Sequence, residues 1–156
     1  MTKFLLGCMA LMVGLAAYAQ QNSEGITYGS GRIELYQTDR KADTKFWVAS
    51  TDAGVYGQFL YEDKQKRGHS DDVRIFINRF LGFVCDSNVA FFFGEGYVNH
   101  TPRIILVQVQ DGGWFPDLFA VAALHPISGN LIYERWGWFS RGGLSVLCEL
   151  PNGGGG

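Results

Sequence analysis

The sequence predicts an all-β domain, an antiparallel meander of about nine strands that forms a curved or closed β-barrel. Short runs of β-branched and aromatic residues alternate with Gly, Asn and Asp clusters, and no long stretch keeps the 3.6-residue apolar period of a helix. The 156 residues include 21 glycines, only 4 prolines, 15% aromatic and 18% charged residues. So many aromatics exclude a disordered chain, and a shortage of Ala, Glu, Lys and Leu excludes a helical bundle. A formal net charge of −2 offers no basic surface for nucleic acid.

Nine candidate strands follow one another along the chain. They are Ile26 to Leu35, Lys45 to Ser50, Val55 to Glu62, Val73 to Cys85, Val89 to Val98, Arg103 to Gln110, Leu118 to Leu124, Leu131 to Phe139 and Leu144 to Leu150. Gly, Asn and Asp recur in the short connections because they tolerate the positive φ of tight turns, and Arg141-Gly142-Gly143 is the last predicted turn. Parallel pairs need crossovers of about a dozen residues or more, so turns this short predict antiparallel neighbours.

Glycines within the strands predict that the sheet curves. Five of them interrupt apolar runs, where glycine often marks a bulge or a barrel bend: Gly57, Gly82, Gly94, Gly96 and Gly137. A strongly curved sheet of this size closes or curls to protect its edges. A closed barrel is therefore the first prediction, and a two-sheet β-sandwich is the alternative.

Residues 1–19 have the features of a cleavable signal peptide. Lys3 supplies a positive charge, residues 4–17 are apolar throughout, and Ala17-Tyr18-Ala19 has the small-x-small form of a cleavage site. A membrane anchor is one alternative, but a span needs about 20 apolar residues. A lipoprotein signal ending at Cys8 is another, with little apolar chain before the cysteine. We predict a secreted or periplasmic protein with no membrane span after cleavage.

The mature chain is predicted to be a single β domain, residues 20–150, followed by a flexible Gly-rich tail, residues 151–156. It keeps two cysteines, Cys85 and Cys148, and an even count in an oxidising compartment suggests a disulfide. Closing that loop would contribute about 4 kcal/mol in the chain-entropy model. Both cysteines share a strand face with apolar neighbours, so two separate buried thiols are the alternative.

Several turn and strand motifs follow one another in a characteristic order in the second half of the chain. The series begins with the segment from Asn88 to Gly96 and continues through Asp111-Gly112-Gly113, Asp117-Leu118-Phe119 and the segment from Arg141 to Val146. In this series the chain resembles the post-COAP family of small secreted bacterial domains over nearly the whole mature sequence. The resemblance implies an exported all-β module of unestablished biochemical function, with no catalytic residues to carry over. Near the family's closing histidine this chain has Cys148, so the resemblance does not support the disulfide.

The sequence contains no recognisable catalytic or metal-binding motif. The three histidines lack the close pairing of zinc sites, and His69-Ser70-Asp71-Asp72 is more typical of a solvated turn, with a metal site as the alternative. There is no Gly-x-Ser-x-Gly elbow. The acidic pair Glu62-Asp63 borders a basic loop and predicts an exposed hairpin tip. We therefore predict no metal, no cofactor and no enzymatic activity, and hydrolysis is only the third-ranked function.

Two tryptophans supply the candidate ligand-binding residues. Trp136 and Trp138 lie two apart on one predicted strand, so they share a face with Glu134 and their rings are about 7 Å apart. Adjacent indoles beside a carboxylate can stack on a sugar ring or anchor a protein. Burial in the core is the alternative. Trp114-Phe115-Pro116 is a second exposed candidate, or else a plug over a barrel end.

These observations together predict an exported, non-catalytic module with a structural, adhesive or protein-binding role at the cell envelope. The alternative is a carbohydrate- or small-ligand-binding module that uses Trp136 and Trp138. The sequence does not indicate one partner; a glycan or an envelope protein is the candidate, and nucleic acid is not.

Overall fold

In the computed structural model of this chain, residues 23–64 and 72–148 are described, and eight β-strands make up most of them. The strands are β1 (Gly25–Leu35), β2 (Lys41–Thr51), β3 (Gly54–Asp63), β4 (Val73–Asp86), β5 (Val89–Val98), β6 (Thr101–Gln110), β7 (Leu118–Leu124) and β8 (Leu131–Cys148). The predicted signal peptide and the predicted tail lie outside the described residues. So do residues 69–71 of the segment His69-Ser70-Asp71-Asp72.

The eight strands form a closed antiparallel barrel in which each strand pairs with its neighbours in the sequence. β8 returns to β1, with Cys148 opposite Gly25 and Gly137 opposite Leu35, and this pairing closes the sheet. The predicted all-β meander and its closure into a barrel are confirmed. The sandwich alternative is excluded because the described strands belong to one sheet that closes on itself.

The barrel has one strand fewer than predicted because Arg141-Gly142-Gly143 continues a strand. β8 runs through this segment for 18 residues. Opposite it, the register shifts between Arg32 and Ile33 of β1, which leaves Ser140 as the extra residue of a β-bulge. Gly142 adopts a φ of 78°, which glycine accepts without strain. The glycines therefore bend the strand here and do not reverse it.

Phenylalanine rings from four strands fill the interior of the barrel. Phe46 of β2 and Phe92 of β5 have ring centroids 5.9 Å apart, and Phe59 of β3 stacks on Phe119 of β7 at 6.2 Å. All four rings are buried. Because side chains occupy the space where a wider barrel holds a ligand, binding surfaces must be sought at the barrel ends and on the outer wall.

Four of the five predicted strand glycines, Gly96 and Gly137 among them, lie where neighbouring backbones approach each other closely. A Cβ atom at Gly96 would collide with the carbonyl oxygen of Phe76, and one at Gly137 would collide with that of Glu34. Glycine at these positions therefore admits the adjacent strand at its observed distance.

A disulfide joins Cys85 of β4 to Cys148 of β8, which confirms the predicted bond. The two Cα atoms are 5.5 Å apart, within the usual range for a disulfide. β4 and β8 are not neighbours in the sheet, so the bond spans one end of the barrel. We call this the disulfide end, and the opposite end, where β3 finishes, the Asp63 end. The bond is compatible with an oxidising, exported location.

Candidate functional site

The predicted tryptophan pair lies on the outer wall of the barrel. Gly137 and Phe139 of β8 are buried on the inner side, and Trp136 and Trp138 alternate with them. Both indoles are half-buried and belong to no part of the interior core, and Glu134 shares their face. The structure thus brings the three predicted site residues to one outer surface.

A neighbouring residue covers part of this tryptophan pair. The ring of Tyr36, which follows β1, stacks on Trp136 with centroids 4.1 Å apart and an interplanar angle of 26°. The Tyr36 backbone N–H also donates to the Trp136 carbonyl at 2.9 Å. One face of the Trp136 indole is therefore occupied by a residue of the same chain.

The surroundings of Glu134 are apolar. Partial burial raises the pKa of its carboxyl group above the ordinary value, and the nearby Arg135 opposes that shift. Its register partner on β7 is Ala122, which packs with Leu106 in a small buried cluster outside the barrel. Half-buried apolar side chains surround this cluster: Phe91, Phe93, Ile104 and Leu124. The tryptophans therefore border an apolar outer wall.

A groove of about 460 Å³ lies on the outer wall over β1, β2 and β3, with Gly143 of β8 at its edge. We call it the β1–β3 groove. Two rows of side chains line it in register across the three strands: Tyr28, Trp47 and Gln58 form one row, and Ser30, Lys45 and Leu60 form the next. The groove therefore combines two aromatic rings with an ammonium, an amide and a hydroxyl group.

The aromatic rings of the β1–β3 groove are accessible. Tyr28 is 47% exposed and Trp47 is 40% exposed. Tyr56 of β3 packs edge-on against Trp47 with ring centroids 6.1 Å apart, which supports the indole from one side. Neither groove aromatic was among the predicted site residues. Alternation along each strand places each ring outward, but only the register between β1 and β2 places them side by side.

Asp63 departs from the prediction, because it is fully buried and not part of an exposed hairpin tip. Its carboxylate accepts hydrogen bonds from Arg40 Nε at 2.9 Å and from the Tyr133 hydroxyl at 2.8 Å. The Tyr61 hydroxyl lies 2.8 Å from that of Tyr133. The pKa values of both tyrosines are raised above the ordinary value, and burial is the main cause. These side chains satisfy one another, so the network is a buried structural element at the Asp63 end.

The other predicted candidates lie apart from these surfaces. His100 lies in the turn between β5 and β6, and the His125 imidazole accepts a backbone N–H bond from Ser128. Within residues 23–64 and 72–148, no group of three or more His, Cys, Asp and Glu side chains is arranged to hold a metal ion. Trp114 and Phe115 are exposed in the turn before β7, so this segment is not a plug.

The chain matches no family model, no curated protein and no solved structure. The resemblance to the post-COAP family is tested by none of these comparisons and stays a prediction. In the part of the chain that the structure describes, no helix has the length and apolar character needed to cross a membrane.

Proposed function

We propose that this chain is an exported, non-catalytic β-barrel module that binds other molecules at the cell envelope through its outer wall. Its role is structural, adhesive or protein-binding, and its location is secreted or periplasmic. The resemblance to the post-COAP family of secreted domains supports the same assignment.

The contrast between a filled interior and an aromatic outer wall carries this proposal. Phenylalanine rings occupy the inside of the barrel, whereas several large aromatic side chains are exposed on the outside: Tyr28, Trp47, Tyr56, Trp114 and Phe115. Tyrosine and tryptophan are enriched in binding surfaces because they bury a large area at a low cost in conformational entropy. A rigid barrel with such a surface is suited to binding another molecule on its outer wall.

The disulfide supports the exported location. Bonds of this type persist in oxidising compartments and are rare in the cytosol. The Cys85–Cys148 bond also fixes one end of the barrel covalently, which suits a scaffold that must keep its surface in shape outside the cell.

Binding of a saccharide or another small ligand at Trp136 and Trp138 is the second candidate function. The outward direction of both indoles and the carboxylate of Glu134 beside them favour it. Tyr36, which stacks on Trp136, and the apolar wall next to Glu134 fit a protein partner better.

Expression of the chain with its own leader in a bacterial host tests the proposal. We expect a processed protein outside the cytosol, with Cys85 and Cys148 oxidised, that sediments with isolated cell envelopes. Trp47→Ala and Trp136→Ala, compared one at a time, show which part of the outer wall makes the contact. A chain kept in the cytosol with free thiols, or an exported chain that sediments with no envelope fraction, contradicts the proposed function.

A further inference from the structure

We propose that the β1–β3 groove binds a saccharide that carries a carboxylate, with Tyr28 and Trp47 stacking on the sugar and Lys45 binding its acidic group. This inference rests on the proposed function, because it assumes that the module binds other molecules through its outer wall. It adds a binding site and a ligand class at a part of the outer wall that Trp136 and Trp138 do not line.

The two aromatic rings form the stacking surface of the groove. Tyr28 and Trp47 are register partners on adjacent strands, and Cβ atoms of such cross-strand pairs lie about 4.5–5.5 Å apart. Tyr56 holds the Trp47 indole edge-on, which reduces its freedom before any ligand arrives. A sugar ring presents C–H groups on one face, and an apolar ring face with a polar tip is a good complement to it.

The polar side chains of the groove match the edge of a sugar. Gln58 continues the aromatic row, and Ser30 and Lys45 lie in the next row, one pleat away. An amide and a hydroxyl group each donate and accept hydrogen bonds, as sugar hydroxyls do. The volume of about 460 Å³ lies within the range of small-ligand sites. The groove thus offers stacking and hydrogen bonding on the scale of a short saccharide.

The charge of the groove selects the acidic class of sugar. In the neighbouring row, Arg32 pairs with Asp43 at 3.0 Å and Arg74 pairs with Glu62 at 3.4 Å. Among the described residues, none forms an ion pair with the Lys45 ammonium. A carboxylate on the ligand would supply that counter-charge and fix the orientation of the sugar on the rings.

Calorimetric titration of the purified, oxidised full chain tests the inference. The probes are short oligosaccharides that contain uronic acid units and the same oligosaccharides with their carboxyl groups reduced. We expect tighter binding of the acidic probes. Trp47→Ala should weaken binding of both probe types about tenfold or more. Lys45→Gln should weaken only the acidic probes and leave the reduced ones unchanged.

Matched controls separate the groove from the rest of the surface. Lys41→Gln removes another exposed lysine of β2, one that pairs with Glu34 at 3.7 Å, and Trp136→Ala removes an indole that does not line the groove. Both should bind the acidic probes like the wild type. Lys45 is exposed, so Lys45→Gln leaves the fold intact even where Trp47→Ala lowers stability.

Three results would overturn the inference: no binding of any uronic acid probe, equal binding of acidic and reduced probes, or loss of binding in Trp136→Ala with none in Trp47→Ala. If the wild type sediments with envelopes but binds no acidic saccharide, the groove inference fails and the proposed function stands. If it binds the saccharide but is neither exported nor retained by envelopes, the proposed function fails and the groove stands.

Discussion

Replacing Asp63 with asparagine should lower the free energy of unfolding by about 3 kcal/mol. The Asp63 carboxylate is fully buried and accepts hydrogen bonds from Arg40 at 2.9 Å and from Tyr133 at 2.8 Å. Asparagine keeps the size of the side chain but removes its charge, so the Arg40 guanidinium loses its counter-ion. Removing one partner of a buried ion pair costs about 3–5 kcal/mol. Arg40 is 23% exposed, and its residual hydration places the expected loss at the lower end.

Urea unfolding followed by tryptophan fluorescence measures this loss, and an exposed ion pair provides the matched control. Asp43 pairs with Arg32 at 3.0 Å, but the two side chains are 50% and 46% exposed. Asp43→Asn should therefore cost less than about 1 kcal/mol, as exposed pairs do. Equal losses in the two variants, or a loss below about 1 kcal/mol in Asp63→Asn, would refute the argument that burial makes the Arg40–Asp63 pair stabilising.

Three further predictions concern stability. Changing Cys85 and Cys148 together to alanine should lower the free energy of unfolding by up to about 4 kcal/mol, because the bond closes a loop of 63 residues; an unchanged urea midpoint would contradict this. Stability should fall as the pH rises above about 10, because unfolded tyrosines ionise there while burial raises the pKa of Tyr61 and Tyr133 in the folded state. Phenolate absorbance should show two tyrosines that ionise only as the protein unfolds; their ionisation in a folded barrel near pH 10 would count against the buried network. Gly137→Ala should cost about 1–3 kcal/mol, because its Cβ would collide with a β1 carbonyl, and an unchanged thermal midpoint would argue against that close approach.

The sequence predicts those parts of the fold that depend on local pattern. It predicts less well the parts that depend on which strands pair with each other. Period-2 alternation and Gly-rich turns suffice for a meander, since both operate within a few residues of the chain. The segment Arg141-Gly142-Gly143 is different, because a glycine with positive φ serves a turn and a bulge equally well. Only the pairing of β8 with β1, across more than a hundred residues of sequence, shows that the strand continues.

The same reasoning applies to the candidate site. Glu134, Trp136 and Trp138 lie on one strand, so alternation alone places them on one face. Asp63 shares the inward face of Phe59 and Tyr61, but its charge suggested an exposed tip, because the partner that satisfies it, Tyr133, is 70 residues away in the sequence. The β1–β3 groove likewise depends on register between strands, which single-sequence patterns do not specify.

The disulfide between β4 and β8 has a mechanical consequence. When the chain is pulled from before β1 and from after β8, force passes through the bond and bypasses the loop of 63 residues between Cys85 and Cys148. The bond therefore prevents the extension of about 210 Å of chain, at about 3.4 Å per residue. β1 to β3 and most of β4 lie outside the loop and take the load first, so tension would dismantle the groove while β5 to β8 stay within a covalent ring. Mechanical tension would therefore separate the groove strands before it unfolds the strands inside the disulfide loop.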